Sequence, residues 1–593
     1  MLTVEGGSQG MTGASWRRGY TIAFILLLAG IGCSVESDVE PADVLLVNGR
    51  VYTFTWDDPA PDGTPAPNAP FDAEGWHPDA EAVAIRAGVI AFVGSRDEAE
   101  AYRGRDTEII DVDGATIMPG FVDSHTHIAG LGANLERVNL VDVTAEEEMV
   151  ERVARRATGV EPGEWIIGWG WDEGAWADRY PNNRLLSQRV PDHPVVLRGL
   201  HGFAALLNQK ALEEAGITGE TEAPVGGEIR VDWAGEPTGI LINNATDLAD
   251  EAIPVITQEI LEARVLTGLE AMAASGYVAI HEAGADADLM AVFEKLEREG
   301  RLPIRIYAML RGSDEPLLRD WLERGHDSEP DGMLYTRSVK AFYDGALGSR
   351  GAKLLEDYSD LPGHTGVSGE DYGFDEGLIE EMMAAGFQIG THAIGDAGNR
   401  ETLDFIEWVF EEHPDARNSR HRIEHAQVVH PDDFERFAEL DLIASMEPPH
   451  AVEDKTWAED RLGPERVKGA YAWRTMRLLG VPLTFNADLP GSDHDIFYGL
   501  HAAITRRDKE IQPPGGWHPE QNMSAEEAVR GYSVWSAFSA FLEGYTGVLE
   551  PGRWADITVF DIDPLVVGST RPEELFDGSV LYTLVGGEVV YLR

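Results

Sequence analysis

The sequence predicts an α/β protein built on a (β/α)8 TIM-like barrel, with a composite β-sandwich from both termini and an insertion after the first barrel strand. Three observations carry that prediction. Eight short apolar runs, at 117–122, 277–281, 304–310, 338–342, 387–392, 421–425, 442–446 and 482–485, read as buried parallel strands. The later runs alternate with segments of helical spacing, such as Leu403, Ile406, Val409 and Phe410. Both ends of the chain carry short β-rich runs broken by turn residues, which sets the middle apart as the barrel.

In chain order, the first feature is a basic segment, Trp16, Arg17 and Arg18, followed by an apolar run at 20–32 too short to span a bilayer. Cys33, the single cysteine of the chain, follows at once, and the segment resembles a bacterial lipoprotein signal in which Cys33 becomes the lipidated first residue. An incidental buried cysteine is the alternative. Either way no disulfide can form within the chain. The expectation is an exported protein of the bacterial cell envelope, lipid-anchored at a membrane surface, with 1–33 as signal and 34–41 as an acidic linker. Runs at 44–51 and 82–90 then form the first part of the β-sandwich (42–115), and runs at 554–560, 581–585 and 588–592 form the second (548–593). Between them lies the barrel (116–547), with an insertion at about 130–270.

The length of 593 residues allows a large core. With 47 Lys and Arg against 104 Asp and Glu, the formal charge is −57, a field that opposes nucleic acid and anionic lipid head groups and favours solubility. The expected partner is therefore a small-molecule substrate, with no nucleic acid and with membrane only through the anchor. The oligomeric state stays open, a homodimer among the options.

The candidate site lies where the strands end. Residues i and i+2 of an extended strand point the same way, so His125 and His127 can offer two imidazole nitrogens to one metal ion. Two solvent-facing histidines in a turn are the bland alternative. Lys340 falls in the fourth strand, His392 ends the fifth, His425 ends the sixth, and Asp488 follows the eighth. Four histidines, a lysine and an aspartate at strand ends are the ligand set of a one- or two-metal hydrolase, at the face where such barrels carry their active sites. Taken singly, His392 could cap a helix and Lys340 could be a buried ion-pair partner.

These stretches resemble the amidohydrolase superfamily, and within it the amidohydrolase-3, YtcJ-like branch that includes N-substituted formamide deformylases. The matching runs are MPGFVDSHTH (118–127), VKAFYDGALGSR (339–350), HAIGD (392–396), RIEHAQ (422–427) and WAEDRLG (457–463). The resemblance implies a metal-dependent hydrolase that uses a metal-activated water on a C–N bond other than a peptide bond. It implies His125, His127, His392 and His425 as metal ligands and Asp488 as the catalytic aspartate. The metal is expected to be zinc, one or two ions. Lys340 matches the lysine that many relatives carry carbamylated, which turns a cation into an anionic ligand.

The chain also departs from the branch. FNADLP (485–490) replaces the usual Gly-Ser-Asp, and Asp493 in GSD (491–493) mimics that motif too far past the strand. SMEPPH (445–450) carries Glu447 and Pro449 where relatives commonly have Gln and Thr. Candidate substrate contacts are Trp171, His201, His281, Arg350 and His450, with core or lid packing as the alternative for Trp171 and a supporting hydrogen bond for His281. Two rival functions stand beside the amidohydrolase: an esterase or lactonase with the same ligands, and a lipid-anchored binding protein on a degenerate barrel.

Overall fold

The structure, a computed structural model, describes residues 39–141, 143–171, 180–199 and 204–593. The signal segment 1–33, Cys33 and most of the linker 34–41 lie outside the described residues.

Eight strands form one parallel sheet: β1 (Phe121–Thr126), β2 (Tyr277–Ala285), β3 (Arg305–Arg311), β4 (Leu334–Phe342), β5 (Gln388–Ala393), β6 (Arg422–His425), β7 (Ile443–Met446) and β8 (Leu483–Phe485). They lie side by side in chain order, and each neighbouring pair is parallel. The ends of the sheet meet: Thr126 bridges Leu489, and the Ser124 hydroxyl donates to the Phe485 carbonyl at 2.9 Å. This curls the sheet into a nearly closed barrel. Covered on both faces, its strands are apolar almost without alternation; all nine residues of β2 are buried.

One expected strand divides in two. Residues Thr116–Pro119 pair antiparallel with Ile557–Phe560, and the barrel begins only at Phe121. The break falls at Gly120, where a Cβ would lie 2.2 Å from Val278 Cγ1, so a side chain there would collide with β2.

The chain ends form two sheets. One runs Arg50–Val51, Thr116–Pro119, Ile557–Phe560, Val580–Val585, Glu588–Leu592; the other runs Val89–Gly94, Ala82–Arg86, Val44–Val47, Glu108–Asp111. Leu46, Val83, Ile85, Ile117, Ile557 and Leu584 share one buried cluster, so residues more than 500 positions apart pack together. Arg305 at the start of β3 grips Asp556 with two hydrogen bonds, 2.8 and 3.1 Å, and ties this region to the barrel.

The segment between β1 and β2 holds a sheet of its own, in the order Val138–Asn139, Ile166–Trp171, Val195–Gly199, Ala204–Leu207, Pro237–Asn243, Gly227–Val231. Helix Gln258–Ala274 then returns against helix Ile128–Glu136, so closely that a Cβ on Gly132 would lie 1.9 Å from the Arg264 carbonyl oxygen. Among the described residues no helix is long and apolar enough to cross a membrane.

Candidate metal centre

The ends of β1, β6 and β8 converge on one point. His125 on β1, His425 at the end of β6 and Asp488 just past β8 bring one ligand atom each to within 4.8 Å of the others. His127 joins them, its Nε2 3.4 Å from Asp488 Oδ1, while His125 Nε2 stands 3.6 Å from the same oxygen. His392 packs against His425, with ring centres 4.4 Å apart. Lys340 Nζ donates to His125 Nε2 at 2.8 Å. All six residues singled out in the sequence therefore gather here. Asp493 does not; it pairs with Lys509 and accepts from the Asp495 amide.

The backbone is strained where it delivers these groups. His425 has φ +74°, Ala426 φ +40° and Asp488 φ +46°, all in the left-handed region that side chains with a Cβ avoid. Each such residue costs on the order of 1–3 kcal/mol and persists only where its surroundings hold it. Asp123 does much of the holding. Its Oδ1 accepts from the His125 amide and the Thr126 hydroxyl, both at 3.0 Å, and its Oδ2 accepts from the Ala487 amide at 3.0 Å. Asn486 Oδ1 then receives the Asp488 amide at 3.0 Å. Burial pushes the Asp123 carboxyl up to about 7.

Behind His125 stands an ion pair fully inside the barrel. Glu424 Oε2 is 2.7 Å from His125 Nδ1, and Arg422 donates to both Glu424 oxygens at 2.7 and 2.9 Å. Arg422 also donates to the Ser124 carbonyl at 2.7 Å and to the Ser445 hydroxyl at 3.1 Å, linking β1, β6 and β7. With Nδ1 given to Glu424, His125 turns its Nε2 lone pair toward the cluster. Burial disfavours the Glu424 anion, but Arg422 and His125 prevail and hold it well below the usual carboxylate range.

The same burial shapes the other charges. It lowers His125 and His425 to about 3, and the Lys340 ammonium acts in the same direction, so both are neutral imidazoles at pH 7. His392 is likewise held well below the ordinary histidine value by burial, with His425 and Lys340 adding to it. Burial brings Lys340 down to about 8 against the pull of Glu424 and Asp488. For Asp488 burial opposes ionisation, but the surrounding His125, His127 and His425 outweigh it, and the group stays anionic. Burial pushes the Glu447 carboxyl up to about 8.

The expected substrate contacts scatter. Trp171 is fully buried in the insertion's own core, its Nε1 donating to the Leu197 carbonyl at 2.9 Å, which makes it a packing residue. His281 faces the barrel interior, where its Nδ1 accepts from Arg422 at 3.0 Å and its ring meets Tyr307. Arg350 forks onto Asp360 at 3.0 and 2.7 Å, a structural pair in the loop after β4. His450 stands at the site: a Cβ on Gly491 would lie 3.2 Å from its Nε2 and 2.8 Å from the Asp488 carbonyl oxygen. His201 lies outside the described residues. Sequence reasoning passed over Arg422 and Glu424 as site residues, although their spacing of two along β6 puts both on the barrel's inner side. Asp123 was passed over as well, and Glu447 was marked only as a departure from the branch.

Two neutral imidazoles and a carboxylate are the donor set of a zinc-type divalent ion. Carboxylate-backed imidazoles are a further feature of such sites, and His125 has one. The residues thus fit a metal.

A parallel eight-stranded barrel with this cluster at the C-terminal ends of its strands defines a metal-dependent hydrolase of the barrel type. The chain belongs to the amidohydrolase family, whose profile, Amidohydro_3, matches residues 108–591. Among its relatives is YtcJ of Bacillus subtilis (strain 168), 31% identical over 521 residues, covering 86% of this chain and 96% of that one. The N-substituted formamide deformylase of Arthrobacter pascens is 25% identical over 540 residues, covering 87% and 95%. An uncharacterized metal-dependent hydrolase from Pyrococcus furiosus superposes with a TM-score of 0.68 at 28% identity, covering 88% of this chain and 99% of that structure. The protein is accordingly a hydrolase of the YtcJ-like branch of the amidohydrolase superfamily.

Proposed function

We propose that this protein hydrolyses a non-peptide C–N bond, amide or formamide-like, of a small molecule, and that it holds one or two zinc ions to do so. The observation that carries the reading is the convergence of His125, His425 and Asp488 within 4.8 Å at the ends of barrel strands. The likeness to an N-substituted formamide deformylase supports the choice of bond.

In this reading His125, His127, His392 and His425 would hold the metal. A bound divalent ion would supply Lewis acidity and lower the pKa of water to about 7. Asp488 moves the proton: its Oδ1 takes it from the attacking water and returns it to the leaving nitrogen as the C–N bond breaks, because an amine leaves only when protonated. Lys340 has a lowered pKa and a buried amine beside His125, which favours the neutral form that reacts with CO2 to give a carbamate and so an anionic ligand. His450 contacts the substrate beside the Asp488 loop.

The two terminal sheets act as a composite β-sandwich that braces the barrel, supported by their shared core. The protein is exported and lipid-anchored through Cys33 at the cell envelope, and works on a small-molecule substrate.

The deciding experiment measures metal content of the purified protein and turnover on a panel of N-substituted formamides, small amides, esters and lactones. Turnover of amides or formamides with stoichiometric metal supports the proposal. Turnover confined to esters or lactones makes it an esterase, and bound metal without turnover of any substrate makes it a binding protein.

A further inference from the structure

Glu447 follows β7 at the same face of the barrel as the histidine cluster. It is 4% exposed, and its Oε1 has no hydrogen bond among the described residues. That oxygen lies 3.2 Å from His425 Nδ1, itself buried and without a hydrogen bond. At 3.2 Å the two atoms are within hydrogen-bond distance of each other, without the alignment of a formed bond.

The sequence explains why this carboxylate is free to face inward. Glu447 is the residue before helix Pro448–Asp454, a place where a side-chain oxygen ordinarily accepts the first free amides of the helix. Here Pro448 and Pro449 fill the first two helical positions and carry no N–H, and Glu447 makes no such capping bond. Its carboxyl is left to the barrel mouth. The same relation is already complete on the neighbouring strand, where Glu424 Oε2 meets His125 Nδ1 at 2.7 Å.

We propose that Glu447 is the positioning residue of His425: by accepting the Nδ1 proton it fixes the tautomer in which Nε2 carries the lone pair offered to the metal. A carboxyl oxygen accepts that proton whether or not the group is ionised. His392 is arranged the other way round. Its Nε2 is the nitrogen turned to protein acceptors, 3.5 Å from the Gly345 carbonyl and 3.7 Å from Asp344 Oδ1, which leaves Nδ1 for the cluster. Each of the three buried imidazoles thus presents one defined nitrogen, and for His425 that choice depends on Glu447. The inference rests on the metal-hydrolase reading above.

The test uses metal-stripped full-length protein, with zinc affinity measured by competition against a chromophoric chelator and the cobalt-substituted spectrum recorded in parallel. Glu447→Leu should weaken zinc binding by about 10- to 100-fold, the range for losing such a partner. Glu447→Gln keeps an oxygen at the same place and should recover most of that affinity and the wild-type cobalt spectrum. Should Glu447→Leu not fold, 15N-histidine spectra of the zinc-loaded wild type decide the matter: a protonated Nδ1 on His425 supports the proposal and a protonated Nε2 overturns it. Equal zinc affinity in both variants and wild type overturns it, as does a Gln variant as weak as Leu. A wild type that binds no metal sinks the hydrolase reading along with it, whereas normal wild-type binding with indifferent variants sinks this inference alone.

Discussion

Replacing Asp488 by Asn separates proton transfer from metal binding. The carboxylate sits 3.4 Å from His127 Nε2 and 3.6 Å from His125 Nε2, and its side chain is only 22% exposed, so the amide fills the same space. What it cannot do is take up and return a proton. Losing a general acid-base group costs about 10²- to 10⁴-fold in rate, or about 3–5 kcal/mol on the barrier. Asp488 is also the one carboxylate of the three-residue cluster, so metal affinity should fall as well. The assay is therefore turnover on the best panel substrate against added zinc, with metal content measured in the same samples. At full occupancy kcat should still be down at least about 100-fold. The control is Asp493→Asn. Asp493 is 38% exposed and paired with Lys509, a surface pair worth about 0–1 kcal/mol, and its loss should leave turnover within about twofold. If Asp493→Asn abolishes turnover while metal-saturated Asp488→Asn keeps it, the catalytic assignment at the eighth strand fails.

Three further outcomes are expected. His421 is buried and lowered to about 4 by its burial, so between about pH 6.5 and 4 the unfolded chain binds a proton that the native state refuses. Stability therefore falls as pH drops through that window, by about 3 kcal/mol in full; urea unfolding should show the gap between wild type and His421→Gln narrowing by that amount from pH 7.5 to 4, and a constant gap would refute the assignment. Deleting 548–593 removes three of the five strands in the terminal sheet and bares the edge of Thr116–Pro119, so the product should be insoluble; a monodisperse truncation by size-exclusion chromatography contradicts this. Cys33→Ser should move the protein out of the membrane fraction on cell fractionation, and an unchanged distribution rules out Cys33 as the anchor.

The barrel was legible because its signal is local. Buried parallel strands are short apolar runs whatever they pack against, and a histidine at the end of such a run sits at the active face without knowledge of its neighbours. The boundary at Gly120 was not legible, since 117–122 reads as one strand and it is the contact with Val278 that cuts it. Trp171 shows the same limit from the other side. In a Gly-Trp-Gly-Trp run, it reads in the sequence as a substrate contact or as packing, and its indole is claimed by Leu197, 26 positions away, in a core that no short window reveals. Glu424 looks like any acidic residue beside a strand, and Glu447 stands out in the sequence only as a departure from the branch. Their parts are set by His125 and His425, groups that the fold and not the sequence puts within reach.

The same reasoning explains why the site sits at the seam of the barrel. Between β8 and β1 the described residues show one bridge and no ladder, so this edge lacks the repeated backbone pairing that joins the other strands. What closes it is side-chain chemistry from residues 361 to 364 positions apart: the Ser124 hydroxyl on the Phe485 carbonyl, and the Asp123 carboxylate on the Ala487 amide. Asp123 also fixes the amide of His125, and the strand end it reaches leads directly to Asp488. The residue that draws the last strand to the first is thus the one that sets the spacing between a histidine of the cluster and its carboxylate. Closing the barrel and assembling the site are one structural event, and a change at Asp123 cannot disturb the one without the other.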